Sequence, residues 1–191
     1  MQLDFFSTSC SQTGHSAAAA GYQIAIRILM FFLLPAWGIS NAVSTLVGQN
    51  LGAKEYDRAE KAVVQTAKYN AVFMLAVSLL FFILSGPIVR IFSKQEEVAE
   101  IATLALRIIS SGYLFYSVDM VVVNAFNGAG DTKTPRILNV FCFWLFQVPM
   151  AYLLAKYFKM GRLGVFIIVP VSETVMTIAA IILFRRGKWK T

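Results

Sequence analysis

From Ile137 to Ala155 the chain runs 19 residues without one charged side chain. Wound as an α-helix at about 1.5 Å per residue, that block reaches roughly 28 Å, close to the hydrocarbon thickness of a bilayer. A water-soluble fold rarely affords such a stretch, because a surface helix needs a polar face. The rest of the chain follows suit: 58% of its residues are hydrophobic and 14% charged, against about 45–50% and 25% in a soluble domain. The apolar residues come in long blocks, which predicts an all-α integral membrane bundle of about five transmembrane helices.

The expected helices cover about 18–50, 62–92, 94–127, 135–157 and 162–185, forming a single membrane domain, 18–191, after a non-spanning N-terminal lead-in, 1–17. Pro35 and Gly38 predict a kink in the first helix, Gly86-Pro87 a bend late in the second and Pro149 a kink in the fourth. Gly52 is placed to end the first helix, and Asp57 and Lys61 have i,i+4 spacing on the next. Ser93 and Glu96 have capping-box spacing at the start of the third helix, and Thr134 with Pro135 reads as N-cap and first residue of the fourth. The lead-in carries Asp4, no basic residue and no apolar run, so it does not read as a secretory signal. No repeat at a 20–50-residue period stands out.

The net charge of +7 does not point to nucleic acid, because the basic residues lie between and after the apolar blocks rather than on one polar face. Ten fall at one end of the bundle: Lys54, Arg58, Lys61, Lys68, Lys133, Arg136 and the tail Arg185, Arg186, Lys188 and Lys190. Five fall at the other: Arg90, Lys94, Lys156, Lys159 and Arg162. The positive-inside rule then places the C-terminus in the cytoplasm and the N-terminus outside. With no signal ahead of the first helix, that orientation leads us to expect a fragment lacking a preceding span. Cys10 and Cys142 are the only cysteines and His15 the only histidine, which indicates neither a disulfide framework nor a metal site.

Ionisable groups within a bilayer cost about 2.5–3.5 kcal/mol on insertion scales, so they are candidate functional groups. Asp119 and Glu173 are candidate cation-binding or coupling carboxylates, the alternative being structural ion pairs with Arg27 or Arg107. Asn41, Thr45 and Gln49 share a helix face, and Asn124 lies late in the third helix. These amides could line a wet cleft or simply hydrogen-bond neighbouring helices. Tyr113 and Tyr116, close to Asp119, would suit flat organic cations through cation–π contact. Gly128-Ala129-Gly130-Asp131 has the Gly-x-Gly-Asp pattern of intramembrane aspartyl proteases, but Asp131 falls in a turn, 12 residues after Asp119 on the preceding helix. Two catalytic carboxylates must share a proton across a few ångströms, so that placement argues against an enzyme.

Two segments together resemble the C-terminal lobe of multidrug and toxin extrusion (MATE) transporters. They are Leu34-Pro35-Ala36-Trp37-Gly38-Ile39-Ser40-Asn41-Ala42, continuing through Thr45-Leu46-Val47-Gly48-Gln49-Asn50-Leu51-Gly52-Ala53, and Asn127-Gly128-Ala129-Gly130-Asp131-Thr132-Lys133-Thr134-Pro135. The resemblance covers about 16–190 and marks Pro35, Gly38, Gly48, Gly52, Gly128, Gly130, Asp131 and Pro135 as motif positions. It implies most of one six-helix lobe of a twelve-helix transporter, the eighth to twelfth helices, truncated at the N-terminus. It further implies a plasma-membrane protein, in bacteria of the inner membrane, that exports organic cations and other amphipathic drugs. Exchange would be for sodium ions or protons, with no cofactor, with membrane lipid as solvent and with the missing N-terminal lobe as a necessary partner. Some members use a carboxylate on the tenth helix; counting back from Asp131, Asp119 falls about one turn away from it, nearer Tyr116. The alternatives are a lipid-linked oligosaccharide flippase, which would want more cleft cations than Arg27 and Arg107, or a nontransporting fragment.

Overall fold

The computed structural model describes residues 12–156, 162–187 and 189, without side chains for the first seven of these and for those flanking 157–161. All described elements are helical. They are α1 (Gln12–Gly52), α2 (Tyr56–Phe92), α3 (Glu96–Ser110), α4 (Tyr113–Gly128), α5 (Lys133–Asn139), a π-wound segment (Val140–Gln147), α6 (Val148–Lys156) and α7 (Arg162–Arg185). Four stretches are long and apolar enough to cross a membrane: Ala19–Gly52, Tyr56–Phe92, Lys133–Leu154 and Phe166–Arg185. The pair α3 and α4 makes a fifth if taken as one broken span. Large apolar side chains such as Phe31, Ile83, Ile91, Trp144 and Leu145 face outward. Within the apolar window of Lys133–Leu154 only 11% of residues are buried, which suits a lipid solvent and no other.

The structure corrects several local expectations. Instead of one helix over 94–127, α3 and α4 meet at a 53° bend across Ser111-Gly112. Serine hydroxyls take over where the helical ladder stops: Ser110 Oγ donates to the Arg107 carbonyl at 3.1 Å, Ser111 Oγ to Ile108 at 2.6 Å, and Ser78 Oγ from α2 to Ser110 at 2.9 Å. Satisfied carbonyls are what make a broken span tolerable in lipid. Gly112 completes the joint, since a Cβ there would sit 2.8 Å from the Pro170 Cα of α7. The capping box does not form; α3 starts at Glu96 with Gln95 as its N-cap, and Ser93 Oγ instead accepts from the Gln95 N–H at 3.3 Å. At the next start Thr134 is not the cap and Pro135 is the third helical residue, because Asp131 caps α5.

Other boundaries are wider than expected. The first helix already runs at Gln12 and passes through Pro35 without interruption to Gly52, and α2 begins at Tyr56. Residues 1–11 of the lead-in lie outside the described residues, as do Lys159, Lys188 and Lys190. The ion pair of the α1–α2 turn is Arg58–Glu55 at 3.8 Å. The helix winding changes just before Pro149. Its ring has no N–H and crowds the carbonyl of Leu145, and the ladder before it widens so that the Val148 N–H reaches back to the Phe143 carbonyl.

Packing divides the bundle into two apolar clusters stacked along the helix axes. One joins the first half of α1 to the second half of α2, α3, Tyr113 and Phe166. The other joins Val43 and Val47 of α1 to Ala59 and Val63, the second half of α4, Leu138, Cys142, the end of α7 and Trp189. Buried polar residues lie between them on each long helix: Ser40 on α1, Asn70 on α2, Ser117 and Asp119 on α4, Ser172 and Glu173 on α7. A polar layer thus crosses the middle of the bundle.

Candidate functional site

Within that layer a cleft of about 330 Å³ opens between α1, α4, the α5 span and α7. Trp37 and Asn41 line it from α1, and Tyr116, Asp119, Met120, Val123 and Asn124 from α4. Asn139, Phe143 and Met176 complete the wall. Asp119 is 4% exposed and Glu173 9%, and they lie close enough for each to feel the other's charge. Asp119 Oδ1 and Glu173 Oε2 have no hydrogen-bond partner. Two carboxylate oxygens facing no donor in a dry interior are poised to accept a cation or a proton.

Among the described residues, neither acid is paired with Arg27 or Arg107. Arg27 is exposed on α1, and Arg107 Nε donates to Ser85 Oγ at 2.7 Å, tying α3 to α2. The structural ion pair weighed from the sequence is therefore not made. Around the acids the hydroxyls are committed to backbone: Ser117 Oγ to Leu114 at 2.6 Å, Ser172 Oγ to Val169 at 2.8 Å, and Thr177 Oγ1 to Phe115 at 2.9 Å and Glu173 at 2.7 Å. The Thr177–Phe115 bond clamps α7 to α4 beside both carboxylates.

The cleft wall is aromatic as well as acidic. Trp37, Tyr116 and Phe143 share the lining. Asn124 Nδ2 donates to Ser40 Oγ at 2.7 Å and to the Met120 carbonyl at 3.1 Å, fixing α4 to α1 at the edge of the cleft. Rings beside unpaired carboxylates form surroundings suited to an organic cation.

Of the residues picked out from the sequence, Asn41, Tyr116, Asp119 and Asn124 line this cleft, and Glu173 does not line it but is buried within the field of Asp119. Gln49 and Tyr113 do not line it. Gln49 shares the face of Asn41 but lies two turns further along α1, past the end of the cleft. Tyr113, beginning α4 at the bend, turns into the apolar cluster, its ring 6.4 Å from Phe81. Trp37, Asn139 and Phe143 were not picked out. For Asn139 a signal existed, an amide inside an otherwise apolar block.

Gly48, Gly128, Gly130 and Asp131 shape the contact of α1 with α4 and the turn that follows it. Gly128 lies against the backbone of Ser44, whose carbonyl oxygen fills the place of a Cβ, and a Cβ on Gly48 would stand 3.2 Å from the Gly128 oxygen. Here α1 and α4 touch backbone to backbone. Gly130 has φ +81°, which turns the chain sharply. Asp131 then accepts from the Lys133 N–H at 3.2 Å, the Thr134 N–H at 3.1 Å and Thr134 Oγ1 at 2.6 Å. The Thr134 hydroxyl, foremost, holds the Asp131 carboxyl below the ordinary aspartate range. An acid spent on capping a helix beyond the end of α4 cannot pair with Asp119 as a protease dyad. Pro35 and Pro135 sit within helices, and Gly38 and Gly52 face open space.

Known proteins resemble this chain in sequence and in fold. The MatE family model matches residues 4–153. The probable multidrug resistance protein NorM of Thermotoga maritima is 30% identical across 91% of this chain, and the probable multidrug resistance protein YoeA of Bacillus subtilis 26% across 84%. The chain spans only 37% and 35% of the length of these two relatives. Among solved structures, a MOP superfamily transporter from Pyrococcus furiosus superposes over the whole chain with a TM-score of 0.86 at 22% identity, covering 43% of that protein. A mutant of the Vibrio cholerae MATE transporter VcmN superposes over 98% of the chain with a TM-score of 0.87 at 21% identity, covering 41% of that protein. The chain therefore belongs to the MatE family and matches part of the length of its relatives.

Proposed function

We propose that this chain forms one wall of a secondary active transporter that exports organic cations and other amphipathic drugs in exchange for sodium ions or protons. The observation that carries the reading is the pair Asp119 and Glu173, buried, mutually within electrostatic range and unpaired with arginine, at a cleft faced by Trp37 and Tyr116. A carboxylate pair at mid-membrane gains from a bound cation in one access state and loses it in the other, which is the coupling that alternating access requires. Asp119 and Glu173 would hold the cation or coupling ion, and Asn41, Tyr116 and Asn124 would shape the cleft. The opposite wall comes from another lobe, so the chain alone does not transport. The basic end of the bundle, with the C-terminus, faces the cytoplasm of a plasma membrane, in bacteria the inner membrane.

The test is a chimera in which this chain replaces the matching segment of the Thermotoga relative, assayed in everted vesicles for ethidium movement driven by a sodium or proton gradient. Asp119→Asn and Glu173→Gln should each reduce driven movement to the passive leak, while Glu97→Gln on the exposed start of α3 leaves it unchanged. Driven movement at the parental rate in both acid variants would remove the pair from the site.

A further inference from the structure

We propose that the corner where α5 begins and α7 ends is a binding site for a phospholipid with an anionic headgroup. Three observations converge there. First, Lys133, Arg136, Arg185 and Arg186 are all exposed at this one end of two helices that pack against each other, while the ion pairs Arg58–Glu55 and Arg90–Glu96 lie elsewhere. The acid in the corner, Asp131, caps its own turn and shares its field only with Lys133 among the four cations.

Second, each helix carries an apolar stripe that ends in a cation. On the α5 side Lys133 is followed at i+4 spacing by Ile137, 67% exposed, and Phe141, 55% exposed. On α7 Ile178 and Ile182, 53% and 50% exposed, lead at the same spacing to Arg186. The two helices run antiparallel, so both stripes put their positive ends at the same level. Acyl chains fit the apolar stretches, and a phosphate fits the rim.

Third, the basic end of α7 is built rather than frayed. The Arg186 N–H donates to the Ile182 and Leu183 carbonyls, both at 3.2 Å, and Gly187, at φ +70°, donates to Phe184 at 3.1 Å. Trp189 folds back over this turn, its ring stacked 4.7 Å from Phe184 and its indole N–H donating to the Phe184 carbonyl at 2.9 Å. The guanidinium-bearing segment is thereby held in place before any lipid arrives, which lowers the cost of ordering it.

The experiment compares phosphatidylglycerol with phosphatidylcholine retained by the purified chain, by native mass spectrometry from mixed micelles, with photoactivatable phosphatidylglycerol to locate contacts. The chain should prefer phosphatidylglycerol, with crosslinks in 133–141 and 178–186. Each cation removed should lower that preference roughly fivefold, so Arg185→Gln with Arg186→Gln lowers it by roughly 25-fold. Lys133→Gln with Arg136→Gln, at the other helix, provides an independent pair should the first not fold. Glycerol phosphate at millimolar concentration should not compete, because it lacks the chains. Equal retention of both lipids by the parent, undiminished preference in either variant pair, crosslinks elsewhere, or full competition by glycerol phosphate would each overturn the proposal.

Discussion

Replacing Gly128 by alanine tests whether the backbone contact between α1 and α4 sustains the bundle. A Cβ at this position would collide with the Ser44 carbonyl oxygen and stand 2.8 Å and 2.9 Å from its Cα and carbonyl carbon. All three atoms belong to the main chain of α1, so no rotamer change relieves the clash and one helix must move. Overpacking of this kind costs about 1–3 kcal/mol. Alanine returns at most ~1 kcal/mol of helix propensity, and less at the last residue of α4 than in a helix interior. The steric term wins, leaving a net loss of about 1–2 kcal/mol and a fall in Tm of ~2–8 °C for a chain of this size. Gly38→Ala is the control: nothing lies within 4 Å of its Cβ position, so the propensity gain of ~0.5–1 kcal/mol acts alone and Tm should hold or rise. Thermal unfolding in detergent, followed by the fluorescence of Trp37, Trp144 and Trp189, reads both. A parental Tm for Gly128→Ala, or an equal drop for Gly38→Ala, would refute the claim that contact rather than composition sets the effect.

Two further outcomes follow from named hydrogen bonds. A double-mutant cycle on Ser40→Ala and Asn124→Ala should give a coupling of roughly 0.6 kcal/mol, the size usual for interhelical bonds in membranes; strictly additive losses would mean the 2.7 Å bond holds nothing. Asp131 gives a pH dependence: its folded value is lowered, chiefly by the Thr134 hydroxyl. Its contribution is therefore complete above the ordinary aspartate value of 3.8 and is lost as pH falls through the lower folded value. Tm should drop on acidification below that point in the parent and drop less in Asp131→Ala, and parallel acid profiles would contradict the cap.

Much of the architecture was legible because lipid leaves few choices. An uncharged run such as Ile137–Ala155 can do little but span, and the segments from Leu34 and from Asn127 carry enough pattern to mark a family. The motif even encodes its own mechanics, with small residues at 48 and 128 where two backbones meet. Depth along a helix was harder to read than facing. Asn41 and Gln49 share a face, yet the cleft ends before the second, because its length is set by where Asn139 and Phe143 come in from another span. Tyr113 and Tyr116 stand about one turn apart on α4, yet only Tyr116 reaches the cleft, while the Tyr113 ring packs against Phe81.

The pairing of Asp119 with Glu173 was beyond the sequence for a specific reason, the bend at Ser111-Gly112. Hydropathy averages across that joint, since serine and glycine are ordinary residues in membrane helices, and the close approach of Gly112 to Pro170 comes from a distant segment. The consequence is metric. Asp119 lies roughly 10 Å of helix beyond Gly112, so turning α4 by 53° displaces its carboxylate by roughly 8 Å from where a straight span would carry it. Two charges that far apart in a bundle of this size would face different helices. With the bend in place, the Thr177–Phe115 bond closes α7 onto α4 and brings the acids within each other's field. The joint at Gly112 and Pro170 is thus as much a part of the candidate site as the carboxylates, though it touches neither.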